Sequence, residues 1–350
     1  MTERRKTKQV NIRNVAIGSG NRIAVQSMTN VPVEQIDETL GQIERLTAAG
    51  CDIVRVAVPN SRAVSAFADL RKLTDVPLVA DVHFDYRLAI GAIEAGADKL
   101  RINPGNIALR DLDKVIDCAK KHKVAIRIGV NGGSVGKEYV ARCGGDKSLA
   151  LVESVKDYVK YFENRGFDDI VLSVKSSDVA STVYLNRQIA DLGYPLHLGV
   201  TEAGLAEQGK LKNAIGIGSL LLDGIGDTLR VSLTADPVEE VNAAKDILSV
   251  LGLRNCVTFV SCPKCGRCSV DLERVAGEVY GYVRNLDCNL KIAVMGCEVN
   301  GPGECKDADI GIAGSNGRFV FFKKGRIYKY VEADVAVKEF IREIDLLCKG

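Results

Sequence analysis

The sequence predicts an α/β protein, a (β/α)8 TIM barrel followed by a small α+β domain, and three observations carry that expectation. Short apolar strands alternate with amphipathic helices from residue 20 to about 236, the alternation repeats eight times, and the cysteines crowd beyond residue 250. Regular strand–helix alternation builds a parallel sheet through right-handed crossovers. Eight such units within one segment of this length fit a closed barrel better than an open sheet.

In chain order the strands read IAVQSMT from Ile23, IVRVAV from Ile53, LVADVH from Leu78 and KLRINP from Lys99. They continue as AIRIGV from Ala125, DIVLSVK from Asp169, LHLGVTE from Leu196 and TLRVSLT from Thr228. Helices lie between them; Val33 to Ala49 and Asp111 to His122 are the clearest, with apolar residues at i, i+3 and i+4. After a linking helix from Pro237 to Leu251 come strands at Val257, Lys291, Asp309, Phe319 and Arg326. Helices from Asp271 to Arg284 and from Asp334 to Leu347 complete this second part. The expected division is 1–240 for the barrel and 241–350 for the cysteine-bearing domain.

Composition narrows the function. Of the 350 residues 46% are hydrophobic and none is Trp, a mix that suits buried parallel strands. A net charge of +2 gives no reason to expect nucleic acid or an anionic membrane as partner. Met1 to Asn14 is basic and polar, unlike a signal peptide, and there is no uncharged apolar run long enough to span a bilayer. The expectation is a cytoplasmic protein. In that reducing compartment eleven cysteines point to metal or redox chemistry rather than disulfides.

Polar residues interrupt the strands. Arg55, His83, Arg101, Asn103, Arg127, Asn131, Lys175, Glu202, Arg230 and Ser232 lie in the strands or just after them. Barrel active sites form where strands end, from side chains of several strands. Single members such as Asp81 or Glu202 have a plainer reading as structural ion pairs. A whole ring does not, because burying several unpaired cations costs several kcal/mol each. Arg55, Arg101, Arg127, Lys175 and Arg230 require an anion, and their number suits a diphosphate better than one phosphate. Gly216, Gly218, Gly224 and Gly226, between strands seven and eight, offer backbone amides for a phosphate, or simply a tight turn.

The cysteine loops follow strands. One reads Cys262-Pro-Lys-Cys265-Gly-Arg-Cys268 and the other Cys297-Glu-Val-Asn-Gly-Pro-Gly-Glu304-Cys305. A Cys-x2-Cys knuckle suits structural zinc, which ordinarily takes a second such knuckle. Iron–sulfur clusters accept more varied spacing, so spacing leaves both metals open. Cys256, Cys288 and Cys348 read as lone core or surface thiols.

SCPxCGR followed by MGCxVNGPGE resembles the 4-hydroxy-3-methylbut-2-en-1-yl diphosphate synthases of the methylerythritol phosphate route to isoprenoids. QSMTN, VRVAVP, ADVHFD, LRINPGN, GVNGGS, HLGVTEAG and GIGSLLLDGIGDTLRVSLT are similar to that family too. The resemblance runs from about residue 10 to the end. It implies reductive dehydration and ring opening of 2-C-methyl-D-erythritol 2,4-cyclodiphosphate. It also implies a 4Fe–4S cluster held by Cys262, Cys265, Cys297 and Glu304, with flavodoxin or ferredoxin as electron donor. Arg55, Arg101, Arg127, Asn131 and Lys175 then fall at the substrate, with His83, Asn103, Arg230 and Ser232 as further members. Glu202 falls near the reacting carbons, where it would supply or orient a proton. A homodimer with a composite site is implied as well. Cys268 and Cys305 stand where the family pattern has other residues. The competing expectation is a phosphate-binding barrel transferase or lyase, similar to dihydropteroate synthase, with a structural zinc site.

Overall fold

A computed structural model describes residues 2–131, 135–255, 257–284, 286, 288–299, 303 and 305–349, the side chains of Asn131 and Lys349 excepted. The chain divides into two compact units, Met1–Ile247 and Leu248–Gly350.

The first unit opens with an antiparallel hairpin, β1 (Val10–Ile12) and β2 (Val15–Ile17), which the strand pattern of the sequence did not reveal. Val10, Ile12 and Ile17 pack against Ala24, Ile53, Val79, Ala125 and Val171, residues at or near the starts of five later strands. The hairpin therefore plugs the N-terminal end of the barrel.

The barrel strands are β3 (Ala24–Met28), β4 (Ile53–Ala57), β5 (Leu78–Asp81), β6 (Lys99–Ile102), β7 (Ala125–Asn131), β8 (Ile170–Lys175), β9 (His197–Leu198) and β10 (Thr228–Leu229). They form one parallel sheet in the order β8-β7-β6-β5-β4-β3-β10-β9. A parallel bridge between Leu172 and Leu196 joins the two ends. All eight expected strands are present, the last two short. Around them run α1 (Ile36–Ala48), α2 (Ser61–Leu73), α3 (Tyr86–Glu94), α4 (Leu109–His122), α5 (Lys137–Arg142), α6 (Lys147–Asn164), α7 (Val179–Gln188), α8 (Ala206–Leu222) and α9 (Pro237–Val250).

Local chemistry sets the helix ends. Asn60, Asp85, Asp146 and Asp178 each accept a hydrogen bond from a backbone N–H in the first turn of the helix that follows. Such caps satisfy donors that the helix leaves open and contribute about 1 kcal/mol each. In α4, Leu112, Val115, Ile116 and Ala119 form the buried stripe. Its last turn carries Lys120, Lys121 and His122, and Lys123 stops it in the left-handed conformation.

The second unit is a five-stranded sheet of β11 (Thr258–Ser261), β12 (Lys291–Met295), β13 (Ile310–Ser315), β14 (Arg318–Lys323) and β15 (Arg326–Val331), paired in that order. The first three strands are parallel and the last two antiparallel to their neighbours. On one face α10 (Leu272–Val283) and α11 (Ala336–Lys349) bring Val275, Val279, Phe340 and Ile344 against Ile292, Val294, Ile312 and Phe321. The other face buries Met295, Cys305, Ala308, Val320 and Phe322. Cys288 and Cys348 form a disulfide, correcting their reading as lone thiols. Their separation of 60 residues hid a Cα–Cα distance of 5.6 Å that only the folded sheet creates.

Candidate active site

Parallel pairing sets Asp81, Arg101 and Arg127 side by side at one level across β5, β6 and β7. Arg55 of β4, Lys175 at the end of β8 and Arg230 just after β10 join them around a cavity of about 140 Å³. His83, Gly129, Ser173, Thr201 and Ser232 complete its wall. The expected ring of strand-end cations is thus one cavity at the C-terminal mouth of the barrel.

Two carboxylates offset part of its charge. Asp81 accepts hydrogen bonds from Arg101 Nη1 and His83 Nε2, both at 3.3 Å. Glu240, 3% exposed and outside the set expected from sequence, accepts from Arg230 Nε at 3.2 Å and Nη2 at 3.1 Å. It also accepts from Ser27 Oγ and from the Leu233 amide, so one carboxylate ties β3 and the segment after β10 to α9. Among the described residues Arg55 donates only to the Met28 thioether, at 3.0 and 2.8 Å. Arg127 is 2% exposed, with Nε and Nη1 unpartnered among the described residues. Lys175 has no carboxylate within ion-pair distance among the described residues; the carboxylates here serve Arg101, His83 and Arg230. Among the described residues five basic side chains face two carboxylates, so basic groups outnumber acidic ones around the cavity.

Proton affinities record that surplus. Burial, opposed by Asp81 and reinforced by Arg230 and Arg101, pushes Arg55 down to about 10. Burial first, then the neighbouring arginines, hold Lys175 and Arg127 well below their usual ranges. Burial alone would raise Asp81, but Arg55, the His83 hydrogen bond and Arg101 outweigh it and keep its carboxyl low. Behind the cavity, His197 and Lys99 are fully buried and held low by burial and by Arg127. A cavity this cationic stores free energy that an anion releases.

Two glycines make the crowding possible. A Cβ on Gly129 would stand 2.8 Å from Arg101 Nε, and one on Gly199 would stand 2.5 Å from both Lys175 Nζ and the Arg230 carbonyl. Glu202, beside Thr201, is exposed and left-handed at φ 53. A non-glycine residue held there stores roughly 1 kcal/mol or more, a cost that clusters at functional positions. Asn103 does not line the cavity; its side chain accepts from the Gly105 amide at 3.2 Å and caps a 3-10 turn, Pro104–Asn106. The Asn131 side chain lies outside the described residues. The suggested glycine cradle is corrected. Gly216 and Gly218 lie inside α8, and Gly224 and Gly226 turn the chain into β10 at the barrel end opposite the cavity. Gly216 instead admits close packing, since a Cβ there would stand 2.8 Å from Val200.

In the second unit β11 and β12 pair in parallel with Ser261 beside Val294. Cys262 and Cys297 therefore leave the same edge of the sheet. The Gly296 amide donates to Cys262 Sγ at 3.3 Å. Cys265 is exposed, while Cys297 is buried. Cys268 donates its thiol to the Val270 carbonyl at 3.2 Å and packs on Gly296, a structural commitment. Glu304 lies outside the described residues. Cys262 and Cys297 at one end of the sheet, with Cys265 three residues after Cys262, are thiol donors of a type that fits an iron–sulfur cluster.

Comparison with known proteins accords with both units. A family model described as the GcpE TIM-barrel domain matches residues 7–245, and one described as the GcpE protein C-terminal domain matches residues 258–346. A protein of Caldanaerobacter subterraneus subsp. tengcongensis, named 4-hydroxy-3-methylbut-2-en-1-yl diphosphate synthase (flavodoxin), is 50% identical over 99% of this chain and 98% of its own. A Bacillus cereus protein of the same name is 46% identical over 99% of this chain and 95% of its own. Among solved structures, Xanthomonas albilineans dihydropteroate synthase superposes with a TM-score of 0.50 at 16% identity, over 71% of this chain and 98% of that one. That likeness shows the barrel fold alone, and the transferase alternative expected from the sequence is not favoured. Among the described residues no helix is long and apolar enough to cross a membrane.

Proposed function

The chain belongs to the GcpE family of 4-hydroxy-3-methylbut-2-en-1-yl diphosphate synthases, and from that premise we propose which of its residues carry out the reaction. The reaction is the reductive ring opening of 2-C-methyl-D-erythritol 2,4-cyclodiphosphate in isoprenoid biosynthesis. It takes up two electrons and protons, breaks a ring carbon–oxygen bond, forms a carbon–carbon double bond and releases the neighbouring hydroxyl as water.

The observation that carries the assignment of residues is the cation set of Arg55, Arg127 and Lys175, none of which forms an ion pair among the described residues. Opening the ring frees a phosphate oxygen that was esterified, so negative charge grows on the diphosphate as the bond breaks. Cations already buried and short of partners stabilise that growth more than they stabilise the closed ring, which is the requirement for catalysis. Arg101, held by Asp81, and Arg230, held by Glu240, are fixed in place to position the diphosphate. His83, Asn131 and Ser232 complete the substrate set, with Asn103 supporting it through its turn. Glu202, on its strained backbone, holds or delivers the proton at the reacting carbons.

Cys262, Cys265, Cys297 and Glu304 would hold the 4Fe–4S cluster. When bound, the cluster supplies electrons singly and an iron whose carboxylate ligand exchanges more readily than a thiolate. Flavodoxin is the proposed donor, after the names of the relatives, with ferredoxin as an alternative. A homodimer is supported by α8, which exposes Leu211, Ile215 and Leu222, and by Tyr184, exposed on the neighbouring α7. Residues 1–240 would then bind the diphosphate and 241–350 carry the cluster.

Anaerobic incubation of cluster-replete protein with the cyclic diphosphate and reduced flavodoxin tests the reading. Formation of 4-hydroxy-3-methylbut-2-enyl diphosphate supports it, with turnover lost in Arg127→Ala. Undiminished turnover in that variant would remove the buried cations from the mechanism.

A further inference from the structure

Three unlike ligand atoms meet on the outer wall of the barrel. Glu94 is the last residue of α3 and His122 the last of α4. Helices of a parallel barrel run back toward the N-terminal ends of the strands, so this place lies opposite the cationic cavity. Cys118 precedes His122 by four residues on α4, which sets both side chains on one helical face. A Glu94 carboxylate oxygen, Cys118 Sγ and a His122 ring nitrogen all lie within 4.8 Å of one another. We propose that Glu94, Cys118 and His122 form a binding site for a divalent cation of the zinc class.

The donor set selects the ion. Calcium and magnesium take oxygen ligands, whereas one sulfur, one imidazole nitrogen and one carboxylate suit a borderline-soft ion in tetrahedral geometry. Three protein ligands leave the fourth position to water. Thiolate and carboxylate together balance a divalent charge, and the carbonyl ends of two helices add negative potential. Lys121 sits near Cys118 and opposes a cation, one positive charge against the two anionic ligands of the set. Cys118 is half-buried between exposed Glu94 and His122, so the sulfur lies deepest and the site opens to solvent.

Burial first, then Glu94, raise the Cys118 thiol, with Lys121 opposing them. The ion displaces the thiol proton to solvent.

Zinc binding to the cluster-replete protein, measured by anaerobic equilibrium dialysis against Zn²⁺ with metal analysis, tests the proposal. The expected result is one zinc per chain above the cluster iron. Cys118→Ala and His122→Ala should each weaken that zinc roughly 30-fold or more. Cys143→Ala should leave it unchanged, and iron content should stay constant in all variants. His122 is exposed, so its variant keeps the test valid if Cys118→Ala disturbs packing. No stoichiometric zinc on the wild-type protein, or wild-type affinity in a folded His122→Ala variant, would overturn the site.

Discussion

Arg230 and Glu240 meet at two points, Nε to Oε2 at 3.2 Å and Nη2 to Oε1 at 3.1 Å, with the carboxylate 3% exposed. This pair fixes the guanidinium at the cavity wall from behind. Glu240→Ala leaves Arg230 partly buried without its counter-charge and strips Ser27 Oγ and the Leu233 amide of their acceptor. The expected loss is about 3 kcal/mol of stability, the lower end for a broken buried pair because Arg230 keeps some exposure. Urea unfolding of the variant checks the figure; a midpoint equal to that of the wild type would show that the pair is not structural.

Gly199 gives a second variant with a narrow readout. Its substitution by Ala places a methyl group against Lys175 Nζ and the Arg230 carbonyl. The lysine head must move, so pyrophosphate affinity should fall by about tenfold, the equivalent of the smaller strains found on overpacking. Calorimetric titration checks this, and unchanged affinity would mean that Lys175 does not touch the anion.

Glu202 separates function from stability. Replacing it with Gly removes a left-handed non-glycine residue at φ 53, so stability should hold or rise by about 0.5 kcal/mol. Turnover should nevertheless fall by about 100-fold if its carboxyl handles a proton. Thermal melts and steady-state rates on one preparation test both halves. Normal turnover would exclude Glu202 from proton transfer.

Anion binding should take up protons. Burial and the neighbouring arginines hold Lys175 toward its neutral form. A bound diphosphate favours the charged form and so raises its proton affinity. Uptake occurs between the lowered free value and the raised bound one, and affinity falls as pH rises through that window, by at most about tenfold per unit for one group. Titrations in buffers of different ionisation enthalpy report the uptake directly. Proton release, or affinity that rises with pH, would contradict the assignment.

The barrel and its cationic mouth were readable in the sequence for one physical reason. Buried parallel strands tolerate few charges, so Arg55, Arg101, Arg127 and Lys175 stood out against apolar neighbours. Glu240 was not readable, because an acidic residue in the first turn of a helix is ordinary there. Its role depends on Arg230 ten residues earlier. Gly216 and Gly218 resembled loop glycines, yet both lie inside a helix, where Gly216 admits the close approach of Val200. The hairpin of β1 and β2 escaped notice because three-residue strands carry too little alternation. At the cysteine loops, spacing left zinc and iron–sulfur open; the parallel pairing of β11 and β12 explains how Cys262 and Cys297 reach one edge.

The most direct test of the central claim is the iron and sulfide content of anaerobically purified protein, read with its visible spectrum before and after the cyclic diphosphate is added. The account predicts about four irons and four sulfides per chain, the content of a cubane cluster, and a spectrum perturbed by the substrate. Cys262→Ser should lose that iron. Colourless protein with a single zinc at the cysteine loops, unresponsive to the cyclic diphosphate, would contradict it.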